Sequence, residues 1–159
     1  MSEQTADRNA MRQLCWALGA AGLLPFVGNA LFAWVVPLHE ADGVLRSQAH
    51  YAASILTFLG ALHWGLQLGL AGPFMPRDGL RLVWSVLPSI YAWVVTLYSI
   101  RLSLPLLCCA LPLALVVDWL LYRGTPVPRW FLVLRTVLTL VATACVAASW
   151  LAMSVRLRG

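Results

Sequence analysis

Residues 51–70, YAASILTFLGALHWGLQLGL, run for twenty positions without an Asp, Glu, Lys or Arg. At about 1.5 Å of helical rise per residue such a run reaches about 30 Å, the hydrocarbon thickness of a bilayer. Lipid offers the backbone no hydrogen-bonding partner, so the segment must be a helix. It also carries His63, an ionisable group where lipid tolerates one poorly, which marks that position as a candidate functional site.

The rest of the chain repeats the pattern. Of its 159 residues, 61% are hydrophobic and 11% charged, against about 25% charged in a soluble domain. Apolar runs cover 14–38, 50–70, 82–100, 102–122 and 130–153. The expected fold is an all-α membrane protein, a compact bundle of five transmembrane helices over 14–153. A cytoplasmic tail, 1–13, is expected before it and a short tail, 154–159, after it. Gly72, Pro73, Pro76 and Gly79 break the chain between the second and third runs, and Gly124, Pro126 and Pro128 between the fourth and fifth. Arg101 alone marks the break between the third and fourth, which implies a tight hairpin. Glu3 and Asp7 argue against a transit peptide, and the run that follows is too long for a signal-peptide core, so it reads as a retained first span.

Arginine sets the direction. With the N-terminus inside, the inner face holds Arg8, Arg12, Arg77, Arg81, Arg123, Arg129 and Arg135, and the outer face Arg46, Arg101, Arg156 and Arg158. Seven against four favours N-in/C-out. The net charge of +5 is spread over these loops, which suits anionic headgroups and not nucleic acid. Most of the tryptophan falls near span ends, as an aromatic belt does. Cys15, Cys108, Cys109 and Cys145 lie in apolar segments without a CxxC spacing and read as buried structural thiols. Pro25, Pro88 and Pro112 fall inside spans and should kink them, whereas Pro105 sits in a first turn.

Two faces of the second span stand out. Ala53, Thr57, Ala61, Gly65 and Gly69 recur every four residues as a stripe of small side chains, the pattern that lets membrane helices approach closely. The stripe is expected to pack on another helix of the chain, with a homodimer contact as the alternative. His63 and Gln67 share a second face, with Gly60 beside them.

His63, Asp118 and Arg135 are the ionisable groups within spans, all at similar depth near the inner side. Asp118 and Arg135 lie on consecutive antiparallel helices, eight and nine residues from Pro126, so a buried ion pair between them is expected. Unpaired, each charge would cost roughly 2.5–3.5 kcal/mol at mid-helix. Gln67 and Ser85 can extend the cluster, and Ser89 also; Asn29 lies toward the other side. The outer segment containing His39, Glu40, Asp42 and His50 offers candidate metal ligands, but its spacing matches no established site and reads as a solvated loop. No GxSxG, HExxH or Walker A motif is present, and no helix carries two histidines suited to a haem. No cofactor or metal is expected.

The segments LGAAGLLPF (18–26), 51–69, WSVLPSIYAW (84–93) and the stretch from Asp118-Trp119 to Arg135 resemble an uncharacterised membrane family, domain of unknown function 3429, related to transmembrane protein 69 of eukaryotes. The resemblance covers nearly the whole chain and is most specific at Phe58-Leu59-Gly60 and His63-Trp64-Gly65. It implies a multi-span protein of the bacterial inner membrane or the mitochondrion, and supplies no activity or catalytic residue. In that family Arg can stand at the position of His63, which implies a hydrogen-bond donor there more than a metal ligand or proton relay.

Three functional readings follow. The first is a non-enzymatic accessory or assembly partner in the inner membrane, in contact with lipids and another membrane protein or a second copy. The second is a small binding or transport module in which His63, Gln67, Ser85, Asp118 and Arg135 line a cavity for an anionic lipid, quinone or similar amphiphile. An intramembrane enzyme built on Asp118 and His63 is the third.

Overall fold

The computed structural model describes residues 2–69, 76–123 and 125–156. Among these there is no strand, and the helices are α1 (Ser2–Gly22), α2 (Leu24–Val35), α3 (Leu38–Gly69), α4 (Pro76–Thr96), α5 (Ile100–Leu121) and α6 (Arg129–Arg156). The expected loop residues Gly72, Pro73 and Gly124 lie outside the described residues, as do residues 157–159 of the expected C-terminal tail.

The first expected span is two helices. The chain breaks at Leu23, and Pro25 stands in the first turn of α2, where its missing N–H leaves nothing unpaired. The Gly22 carbonyl at the break accepts a hydrogen bond from the Tyr51 hydroxyl at 2.8 Å, and the Phe26 ring meets Tyr51 edge-on at 4.9 Å. The expected tail 1–13 is continuous with α1 from Ser2 onward.

The expected loop around residues 39–49 is also helix. Behind Pro37, α3 starts with Glu40 in its first turn, where a carboxylate suits the helix dipole. Asp42 and Arg46 pair at 2.6 Å one turn apart. Ala41, Leu45, Gln48, Ala49 and Ala52 are all buried, a helical stripe that carries the segment into the core. His39, Glu40, Asp42 and His50 are exposed along this helix, and no group of three metal-binding side chains occurs among the described residues.

Among the described residues four stretches are long and apolar enough to cross a membrane, not the expected five: Ala6–Val35, Asp78–Thr96, Ile100–Leu121 and Arg129–Arg156. The one that drops out is the opening segment, now part of α3. At 32 residues α3 is the longest helix, but Gln48, His50, His63 and Gln67 lower its hydropathy. It compensates by burial, packing on α2, α4, α5 and α6. Near one end Leu38, Ala41 and Leu45 share a cavity wall with Ile100 and Arg156; near the other, His63 meets Asp118 of α5, which in turn meets Arg135 of α6. Thus α3 runs the length of both neighbours.

The closest approach is between α3 and α4. Gly60 lies against the Ser85 carbonyl and the ring of Pro88, so that a Cβ there would clash with the backbone oxygen. The α4–α5 hairpin turns at residues 97–99, ahead of Arg101, which is exposed in the first turn of α5. The Ser103 hydroxyl fastens it by donating to Val95 O at 2.8 Å. Phe26, Leu56, Leu104, Leu107, Leu111 and Val146 fill the centre. Outside, Leu, Val and Trp side chains from every helix remain exposed. An apolar surface of that extent on a soluble monomer would drive association, and lipid is the medium that suits it.

Candidate functional site

Three helices bring His63, Asp118 and Arg135 together. Each arrives on a different element: His63 from the last third of α3, Asp118 one turn before the end of α5, and Arg135 two turns into α6. Because α5 and α6 are antiparallel, residues at similar distances from their connection meet at one depth. All three side chains are buried, at 0%, 2% and 5% exposure.

Asp118 is the hub. Its Oδ1 lies 2.9 Å from His63 Nε2, and its Oδ2 accepts a hydrogen bond from Arg135 Nη2. A carboxylate only accepts, so His63 carries its proton on Nε2 and donates. The imidazole is clamped from the side by Tyr122, whose ring stacks on it at 4.9 Å and 10°. The Arg135 guanidinium and the Asp118 carboxylate balance each other's charge. This answers the main cost of the site, since removing one partner of a buried pair typically costs 3–5 kcal/mol.

The remaining expected members stand apart. Ser85 is buried, but its hydroxyl donates back to Leu82 O at 2.5 Å within α4. Gln67 is half-buried, and its Oε1 has no partner among the described residues. The buried atoms His63 Nδ1 and Arg135 Nε also lack a partner there. An Asp–His pair of this kind orients an imidazole, and chemistry would need a reacting group at Nδ1.

The expected packing stripe is a correction. Only Ala53 is buried; Thr57, Ala61, Gly65 and Gly69 are exposed, and a Cβ added at Gly65 or Gly69 would meet nothing within 4 Å. The packing face of α3 runs instead through Ala52, Leu56, Leu59, Gly60 and His63. Gly60 is the small residue of that face, and it meets Ser85 and Pro88 of α4.

Two contributors escaped the sequence reading. Tyr122 reads as belt aromatic, and Arg81 as a topology charge. Arg81 is in fact buried, bonded to Asp78 at 2.9 Å and donating through Nη2 to Leu121 O at 2.9 Å. It caps the C-terminal carbonyls of α5 directly beyond Asp118, a position that favours a cation. Its spacing of three residues from Asp78 on one helix is the signal that could have found it.

Helices with apolar outer faces around a closed, charge-balanced cluster define a multi-span helical membrane protein. The chain belongs to the family described as protein of unknown function DUF3429, whose profile matches residues 11–151. It is 33% identical to transmembrane protein 69 of Xenopus tropicalis over 138 residues, 87% of this chain and 54% of the frog protein. Against transmembrane protein 69 of Mus musculus it is 33% identical over 122 residues, 77% of this chain and 49% of the mouse protein. The chain therefore spans about half the length of the curated relatives it matches. No solved structure matches it.

Proposed function

We propose that this chain is a non-enzymatic accessory or assembly partner within the membrane, and that it works by offering one face of α3 to a helix of another membrane protein. The observation that carries this is the open stripe. Thr57, Ala61, Gly65 and Gly69 form a path without bulky side chains on the outer side of α3. A groove of about 420 Å³ borders it, walled by Phe58, Tyr122 and Phe131. Small residues facing lipid let a second backbone approach, and close packing supplies the attraction that lipid itself does not.

The setting we infer is a bacterial inner membrane crossed several times, with the N-terminus inside, on the arginine bias of the loops. Although α3 is too polar to qualify by hydropathy, it extends along α5 and α6, so it crosses with them as a shielded companion.

Purification of the tagged chain in mild detergent tests the role. Recovery of the same membrane protein from wild type, and its loss from Gly65→Leu, is expected. A stable second copy of this chain in place of a different protein would make the contact a homodimer. Reproducible recovery of this chain alone as a monomer overturns the proposal.

A second reading, a binding module for an anionic lipid, quinone or similar amphiphile, draws on one specific observation. Arg135, besides pairing with Asp118, lines an apolar cavity of about 350 Å³.

A further inference from the structure

Arg135 faces two surroundings. On one side its Nη2 serves Asp118. On the other, the residue forms part of the wall of the cavity between α1, α3 and α6, whose remaining lining includes Leu18, Gly19, Phe58, Leu138 and Thr139. The guanidinium Nε is buried and has no partner among the described residues, although the side chain as a whole is only 6% exposed. A buried donor without an acceptor is unfavourable. Hydrocarbon tails cannot relieve that cost, because they carry no acceptor.

The charge of the site selects the ligand. The positive charge of Arg135 is already matched by the Asp118 carboxylate. An anionic head brought to the same guanidinium would place a second negative charge beside Asp118 in apolar surroundings, where like charges repel most strongly. An uncharged oxygen acceptor meets the guanidinium without that repulsion. The rest of the lining is almost wholly apolar, with Thr139 one turn along α6 from Arg135 as the other polar contribution. The volume of about 350 Å³ falls within the usual range for small-molecule pockets. Among the described helices α1 packs only on α2 and α6. Its residues Cys15, Leu18 and Gly19 thus form a wall on the outer side of the bundle, across from α3.

We infer that this cavity binds an uncharged amphiphile whose head carries a ketone-type carbonyl acceptor, a quinone, with the acceptor at Arg135 and the apolar tail between α1 and α6. The inference rests on the second functional reading and narrows it from amphiphiles in general to uncharged ones.

The test is native mass spectrometry of the full chain in detergent, titrated with decylubiquinone, a benzoquinone with an alkyl tail, and separately with phosphatidylglycerol. Two variants accompany wild type. Cys15→Trp fills the cavity from α1 without touching the cluster, and Arg135→Lys keeps the charge opposite Asp118 while removing the guanidinium's further N–H donors. Decylubiquinone is expected to bind wild type, to resist displacement by phosphatidylglycerol, and to bind each variant about tenfold more weakly, the scale of one lost hydrogen bond to a charged donor. Displacement by phosphatidylglycerol overturns the uncharged head and leaves the binding module standing. Binding of neither probe overturns both. Unchanged affinity in Cys15→Trp overturns the cavity as the place of binding, whether or not Arg135→Lys folds.

Discussion

Gly60 of α3 lies directly on the carbonyl of Ser85 in α4, with the Pro88 ring beside it and no room for a Cβ between them. Proline inside a helix removes one backbone hydrogen bond, and Pro88 stands within α4 where Gly60 packs on it. Gly60→Ala should therefore force the two helices apart and destabilise the bundle by about 1–3 kcal/mol, the range for overpacking a well-filled core. Gly65→Ala, five residues on in open space, should leave the isolated chain as stable as wild type or up to about 1 kcal/mol more stable, since glycine weakens a helix interior. Thermal unfolding of both variants in the same detergent separates the two positions; equal losses would contradict the assignment of the packing face.

Asp118 accepts from both His63 and Arg135, so its removal strands a guanidinium in the core. Asp118→Ala should cost about 3–5 kcal/mol, the range for breaking a buried ion pair. The double variant Asp118→Leu with Arg135→Leu should recover much of that loss, because no charge is left without a partner. A double-mutant cycle on unfolding free energy measures the coupling. If Asp118→Ala matches wild type, the cluster does not hold the bundle together.

At His63 the demand is for a donor at the Nε2 position. Glutamine can present an amide N–H at a similar reach, so His63→Gln should be tolerated to within about 1 kcal/mol, the net value of an ordinary hydrogen bond. His63→Leu leaves Asp118 Oδ1 without a partner and should lose about 1–3 kcal/mol more. Equal stability of the Gln and Leu variants would mean that packing on Tyr122 and not donation is what this residue contributes.

The legible parts of the fold were those written in hydropathy and helix geometry. The runs now in α4, α5 and α6 stand out as unbroken apolar stretches, and the meeting of Asp118 with Arg135 follows from equal distances to one turn. The first half of α3 was hidden by its composition. Residues 39–50 hold two His, two acids and an Arg, which read as loop, although Ala41, Leu45, Gln48, Ala49 and Ala52 already mark a helical face. The choice between the two faces of α3 could not be read at all. It depends on where α4 lies in space, and spacing along α3 carries no record of that. Tyr122 and Arg81 were hidden for a related reason: each has a bland role at a membrane boundary, and only the position of His63 or of the α5 terminus gives it a specific one.

The polarity of α3 makes the number of crossings a direct test of how the bundle sits in lipid. Hydropathy admits four spans, which would return both chain ends to one side. Yet α3 shares one end of the bundle with Ile100 and Arg156 and the other with Asp118, so in the setting proposed above it crosses alongside α5 and α6. Gln48 and His63 are fully buried within the bundle, where lipid does not meet them, whereas His39, Glu40, Asp42, Arg46 and His50 are exposed along the first half of the helix. The chain ends should therefore lie on opposite sides. In a bacterial host, green fluorescent protein at the N-terminus should fluoresce and alkaline phosphatase at the C-terminus should be active, since the first matures inside and the second outside. Fluorescence from a C-terminal green fluorescent protein, with an inactive phosphatase there, would show that α3 does not cross.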